Sequence, residues 1–417
     1  MILISRRDFL KYSLSLSSLS LLPRLSFSQS PVDDSQFVIL VSFGGGWDIS
    51  LGPDAWLQAG RPSDSEYFLE YRQDELVPFG DSFVGPGMSP MTKYFKNLTV
   101  FNGVFLSKTD LGHPLLRYSQ TGQGQGELAT FSAQYSETKG KIGLGVLSTG
   151  SDFVAGKNIP LLDLNDLQRS DLTEAKAFSL KSKSQTDIWE SQRQIRTMLP
   201  QIQNFNQTLA PLRAANSGEA TIGQVLGQAF KSGLSFGASV DVEDLTTNNS
   251  NPNIDFDTHS NHERMHLSSM KMGFEGLAKL MDDLNSVQLN SGETVLSNTT
   301  IVVVSDFART PAMNASKGKD HNPQTNSMLV WNQKWKGSQI VGASRLIESN
   351  KSRIGIPYLS AIPVDQVSKK PALRREGVFT MRPDHIYASV YRSLGLDPVK
   401  IHPGFKELPS FDHFLMR

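Results

Sequence analysis

The 417-residue chain contains no cysteine, which excludes disulfides, thiolate metal sites and a cysteine nucleophile. It carries no net charge, since 41 Lys and Arg balance 41 Asp and Glu. No global field therefore exists to draw nucleic acid or anionic lipid. A membrane-spanning run is also missing: the apolar stretch Tyr12 to Leu22 is short and rich in serine, so no transmembrane segment is expected in the mature chain. The triplet Gly44-Gly45-Gly46 is followed by Trp47-Asp48 rather than Gly-Lys-Ser/Thr, and it lacks the G-x-G-x-x-G spacing. A phosphate loop and a dinucleotide fingerprint are thereby removed. What remains, at 38% hydrophobic residues, is an ordinary globular chain long enough for one large or two moderate domains.

The first 30 residues read as a targeting segment. Ser5-Arg6-Arg7-Asp8-Phe9-Leu10-Lys11 resembles the twin-arginine export signal, and Ser26-Phe27-Ser28 supplies small residues at the spacing a signal peptidase requires. That route carries proteins already folded, often with a metal or cofactor inside. It implies the twin-arginine translocase as a partner during export and a periplasmic or extracellular location. Residues 31–417 are then expected to form a single domain.

Within it, Phe37 to Phe43 and Thr299 to Ser305 are β-branched and aromatic runs without polar alternation. Such runs belong to strands covered on both faces, in the middle of a mostly parallel sheet. Leu98 to Leu106, Leu234 to Val242 and Ser327 to Trp331 read as further strands, and residues 52–92 as irregular. A helix with Met265, Met272, Leu277, Leu280, Met281 and Leu284 on one face is expected to end near Asn285. A last helix starts at Pro383 and stops at Gly395, matching the usual asymmetry of helix ends. Residues 160–232 look like a helical insertion. Alternating strands and helices argue for a doubly wound α/β domain with helices flanking the sheet.

Ligand chemistry in such folds sits beyond the carboxyl ends of the strands. The polar groups falling there are Asp48, His113, Ser119 or Thr121, Asp257, His259, Asn261, Asp306, Arg309, Asp320 and His321. Carboxylates and imidazoles in this proportion suit a divalent metal (Zn, Ca, Mg or Mn). The metal would polarise a phosphoryl or sulfuryl oxygen, and Arg309 could hold two anionic oxygens of a small ester substrate in its planar fork.

Taken in order, several motifs resemble the DUF1501 family. They are Gly45-Gly46-Trp47-Asp48, Gly112-His113-Pro114 with Ser119, Thr121 and Gly122, and Asp257-Thr258-His259-Ser260-Asn261. Ser305 to Thr310, Lys319-Asp320-His321-Asn322-Pro323 and the closing helix from Pro383 follow. The resemblance runs from about Phe37 to Pro398 and implies an exported protein with the alkaline phosphatase and sulfatase fold. By that resemblance Asp48 is the metal-holding aspartate of the first strand. Asp257 with His259 or Asn261 is an Asp-x-x-x-His pair, Asp306 is the aspartate of an Asp-His pair, and His321 is the late histidine. Phe307 stands where that pair needs its histidine, and neither form of the sulfatase nucleophile motif, Cys-x-Pro-x-Arg or Ser-x-Pro-x-Arg, is present. Ser119 and Thr121 are the candidate nucleophiles. The expected activity is metal-dependent hydrolysis of phosphate or sulfate esters, with Asp48, Asp257, Asp306 and His321 converging on one point and His113 or Asp320 nearby. A non-catalytic protein on the same fold is the alternative.

A third reading comes from His262-Glu263-Arg264-Met265-His266, an H-E-x-x-H at the start of the expected helix. Its two histidines share a helix face and the glutamate could act as general base at zinc. The longer metalloprotease pattern fails, because Ser269 stands where glycine is needed and Met272 where the third histidine belongs.

Overall fold

The structure is a computed structural model that describes residues 35–56, 71–110, 143–144, 146–149, 161–177, 188–246, 254–348, 351–352, 357–365, 367–368, 370–372, 377–401 and 411. Eight strands form its central sheet: β1 Phe37–Phe43, β2 Leu98–Asn102, β3 Val146–Ser148, β4 Leu161–Asp163, β5 Gly237–Asp241, β6 Thr299–Ser305, β7 Ser327–Trp331 and β8 Gln339–Gly342. Their order is β8-β2-β7-β6-β1-β5-β3-β4. β1 pairs in parallel with β6, from Phe37 opposite Thr299 to Phe43 opposite Ser305, and with β5 on its other side. Every residue of β1 and β6 is buried, as expected of unbroken apolar runs at the centre of an α/β sheet.

β7 runs antiparallel to both of its neighbours, β6 and β2, and this sets where the site can form. The chain leaves β6 at the carboxyl edge and enters β7 at that same edge, so the connection Asp306 to Asn326 lies wholly on one side of the sheet. β2 has the direction of β1, and its exit toward Asp110 lies there too. Gly103, with φ of +73°, ends β2 four residues before the expected limit.

The helices are α1 Leu164–Arg169, α2 Ile188–Ala215, α3 Ile222–Lys231, α4 His262–Ser286 and α5 Pro383–Ser393. α4 packs on α3 and on a 3-10 helix, Pro86–Asn97, within a region read from the sequence as irregular. The buried face of α4 is Met270, Phe274, Leu277, Leu280, Met281 and Leu284, whereas Met265 is exposed. The apolar stripe thus begins one turn later than expected, because the first turn of α4 buries two histidines instead. The Phe274 ring packs against Phe43 and Trp47, with ring centroids 4.8 and 6.3 Å away, and joins the helix to the end of β1. Residues 160–232 contribute more than helices, since β4 is an edge strand of the central sheet. No helix among the described residues is long and apolar enough to cross a membrane.

Candidate metal centre at the carboxyl edge of the sheet

The first loop of the site is built by glycine. Gly45 and Gly46 take φ of +96° and +88°, and a Cβ on Gly46 would lie 2.1 Å from the Phe307 ring. Only glycine allows so sharp a turn and so close an approach. The chain then runs beside the continuation of β6: Trp47 bridges to Ala308, and Ala308–Arg309 pairs antiparallel with His321–Asn322. A second close approach seats the segment before α4. A Cβ on Gly318 would meet the His259 carbonyl at 1.9 Å, and the N–H of Lys319 donates to Thr258 O at 3.1 Å.

Behind these loops lies a buried polar network. Asp48 Oδ1 accepts from the Ser50 N–H (3.0 Å) and hydroxyl (2.6 Å). Its Oδ2 accepts from Lys319 Nζ and from His262 Nε2, the latter at 3.1 Å. The Asp48 N–H donates to His266 Nε2 at 2.7 Å, and both Nδ1 atoms meet Thr258 Oγ1, at 2.6 Å from His262 and 2.9 Å from His266. These contacts admit one assignment for neutral rings. His266 must carry its proton on Nδ1 and give it to Thr258, whose hydroxyl donates to His262 Nδ1, leaving His262 Nε2–H for Asp48.

The electrostatics agree with that assignment. Burial pushes His262 down to about 4, against the pull of Asp48. It also holds His266 well below the imidazole range, with His262 adding to the effect. Burial alone would raise Asp48, but Lys319 and the two histidines hold it well below the usual carboxylate range. All four ring nitrogens of the H-E-x-x-H histidines thus have protein partners. The motif serves the interior, and Asp48 is neutralised by an ammonium group.

A different group faces outward. Asp257, His259 and His321 each place one ligand atom within 4.8 Å of the others. His259 Nε2 lies 3.0 Å from His321 Nε2 and 3.3 Å from Asp257 Oδ1. Adjacent ligands of a cation bonded at about 2.1 Å are separated by about 3.0 Å at a right angle and about 3.4 Å at the tetrahedral angle, so these two edges fit an ion of zinc or manganese size. Asp257 and His259 are exposed and His321 is half-buried. One possible metal-binding triad is therefore present at the strand-end position.

The other residues expected at the site are distributed around it. Asp306 is buried, and its Oδ2 accepts from the Gly45 N–H at 3.0 Å. Asn261 is exposed in the left-handed conformation ahead of α4, with no side-chain capping bond. Asp320 sits behind His259, its Oδ1 3.0 Å from Nδ1. His113, Ser119 and Thr121 lie outside the described residues. The Phe307 ring packs on His321, with centroids 4.0 Å apart, so it supports an imidazole already in the triad.

Arg309 is fully buried. Its Nε donates to Gly46 O (3.0 Å) and its Nη1 to Lys319 O (2.8 Å). Its Nη2 donates to Gly45 O, to Phe256 O (2.9 Å) and to Asp257 Oδ1 (2.7 Å). Clamping an anionic ester would require breaking these bonds. As placed, Arg309 fastens three loops together and holds the Asp257 carboxylate toward the histidines. Lys319, Thr258 and Asp110 carry little signal in the sequence. Lys319 adjoins a suspected ligand and Asp110 follows a strand end, and those positions were the only signals.

The triad lies inside a stretch with a recognised family pattern. Residues 238–356 match the family described as protein of unknown function (DUF1501). That match supports the family. The DUF1501 stretch spans β5 to β8, α4, Arg309 and all three triad residues, while Asp48 and Asp110 fall before it. Among curated proteins, none matches the chain.

Proposed function

We propose that this is an exported, divalent-metal-dependent hydrolase of phosphate or sulfate esters on an alkaline-phosphatase-like fold, its cation held by Asp257, His259 and His321. The observation that carries this reading is the convergence of two imidazole Nε2 atoms and a carboxylate at an open carboxyl edge of a mostly parallel sheet. A divalent cation there supplies Lewis-acid polarisation of an ester oxygen and sharpens a hydroxyl or water nucleophile. The chain's own contribution is to orient the ligands. Arg309 holds Asp257, Phe307 backs His321, and Gly318 admits the His259 segment. The substrate anion is met by the cation and not by Arg309, whose donors already have partners.

Protein purified without chelator is expected to hold about one divalent ion per chain, because Asp48 is taken up by Lys319 and Asp257, His259 and His321 form one group of converging ligand atoms among the described residues. His259→Ala and His321→Ala are expected to lose this ion together with hydrolysis of aryl phosphate or aryl sulfate. Loss of metal at His262→Ala, with His259→Ala unaffected, would support the protease reading instead. Full metal content with no ester hydrolysis would favour the non-catalytic protein.

The proposed location, periplasmic or extracellular, rests on the paired arginines. Replacing Arg6 and Arg7 with lysine is expected to keep the protein in the cytoplasm, because the translocase reads the paired guanidinium groups. Undiminished export of that variant, followed by fractionation and immunoblotting, would exclude the twin-arginine route.

A further inference from the structure

We infer that Asp110 and Asp320 are positioning residues that fix His321 and His259 in the tautomer that turns both Nε2 lone pairs toward the cation, with Asn314 anchoring Asp320. The inference rests on the metal reading above.

Each triad imidazole has a carboxylate on its far side. His321 Nδ1 lies 2.9 Å from Asp110 Oδ2, and His259 Nδ1 lies 3.0 Å from Asp320 Oδ1. A carboxylate accepts, so each Nδ1 carries the proton. His259 Nε2 also lies 3.3 Å from Asp257 Oδ1, but Arg309 Nη1, 3.4 Å away, can only donate, which leaves that nitrogen as an acceptor with its lone pair in place. Without this arrangement one or both rings could present Nε2–H, which cannot ligate. The carboxylate also makes the ring more basic and stops it from rotating.

Asp320 is itself oriented. Asn314 Oδ1 accepts from the N–H of Ser316 and of Gly318, both at 2.9 Å, which settles the direction of its amide. Its Nδ2 then donates to Asp320 Oδ1 (3.0 Å) and to His259 O (3.1 Å). One side chain thus ties together the loop, the carboxylate and the ligand's backbone.

The two acids come from distant parts of the chain. Asp320 precedes β7, and Asp110 follows β2. Neither belongs with the Nε2 atoms, since each is separated from them by an imidazole ring. The arrangement is the same around both histidines, and a chance surface ion pair would not be expected to repeat it.

The test uses the full chain with Zn²⁺ alone as probe, titrated against a competing chelator, in wild type, Asp110→Asn, Asp320→Asn and Asn314→Ala. Each aspartate variant is expected to bind Zn²⁺ about 10–100-fold more weakly, with melting temperature unchanged because both side chains are about half exposed. Asn314→Ala is expected to weaken binding in the same direction. Nitrogen-15 spectra of the metal-free histidines give a readout that a merely structural role would not move. Wild type should show protonated Nδ1 in His259 and His321, and each aspartate variant should shift its own partner toward the other tautomer. Zn²⁺ affinity and tautomer both unchanged in the variants, with wild-type binding abolished in His259→Ala, would overturn this inference and leave the metal reading standing. No Zn²⁺ binding by wild type would overturn both.

Discussion

Replacing Lys319 with methionine is expected to destabilise the fold by about 3–5 kcal/mol, the usual cost of stranding a buried charge. Lys319 and Asp48 are both fully buried and bonded to each other. His262 also touches Asp48, but burial keeps it neutral, so it cannot replace the lost cation. With Lys319 gone the carboxylate must stay charged in a poor medium or take up a proton, and in either case the network through Thr258 is disturbed. The double variant Asp48→Asn with Lys319→Met removes both charges and is expected to recover most of the loss, leaving a coupling energy that a double-mutant cycle can read. Urea unfolding gives the measurement, since the midpoint falls at constant slope when stability alone changes. A loss below about 1 kcal/mol would place the pair among solvent-screened ion pairs and contradict the burial described for it.

The protein is also expected to lose stability steeply between about pH 6.5 and pH 4, before most carboxylates titrate. His262 and His385 are each pushed down to about 4, burial being the first cause for both. His266 moves in the same direction. A histidine whose folded value is depressed contributes stability above its unfolded value near 6.5, and that contribution is lost as pH falls toward the folded value. For His262 and His385 the loss is on the order of 3 kcal/mol each at full protonation. Asp54 acts oppositely. Burial raises it to about 6 although Ser344 pulls it down, so its protonation below that pH adds stability and offsets part of one histidine. The balance favours acid unfolding. Urea midpoints from pH 8 to pH 4 should show the decline, and His262→Gln should flatten it. A midpoint constant from pH 7 to pH 4.5 would contradict neutral buried imidazoles.

The core of the sheet was legible because it depends on local composition. Phe37 to Phe43 and Thr299 to Ser305 are too apolar and too β-branched to lie anywhere but a strand buried on both faces. The run Gly44-Gly45-Gly46 announced a sharp turn for equally local reasons. Which polar residues would meet was another matter. Asp257, His259 and His321 lie together, which is only part of the expected set of Asp48, Asp257, Asp306 and His321. Asp48 and Asp306, from equally suggestive positions, are committed elsewhere, to Lys319 and to the Gly45 N–H. His262 and His266 carry a metalloprotease spacing, yet Thr258 and Asp48 bind all four of their ring nitrogens.

The reason is physical. Strand and helix formation follow from side-chain shape and hydrophobic period over a few residues, and these are written in sequence order. The role of an ionisable side chain follows from burial and from partners such as Asp110, which is 211 positions away from the histidine it touches. Composition and spacing by themselves determined an α/β sheet with acidic and imidazole groups at its strand ends. The direction of β7, which puts the whole Asp306 to Asn326 connection on one edge, and the depth to which each carboxylate is buried belong to the tertiary structure. They decided which of those groups became interior scaffold and which face solvent at the strand ends.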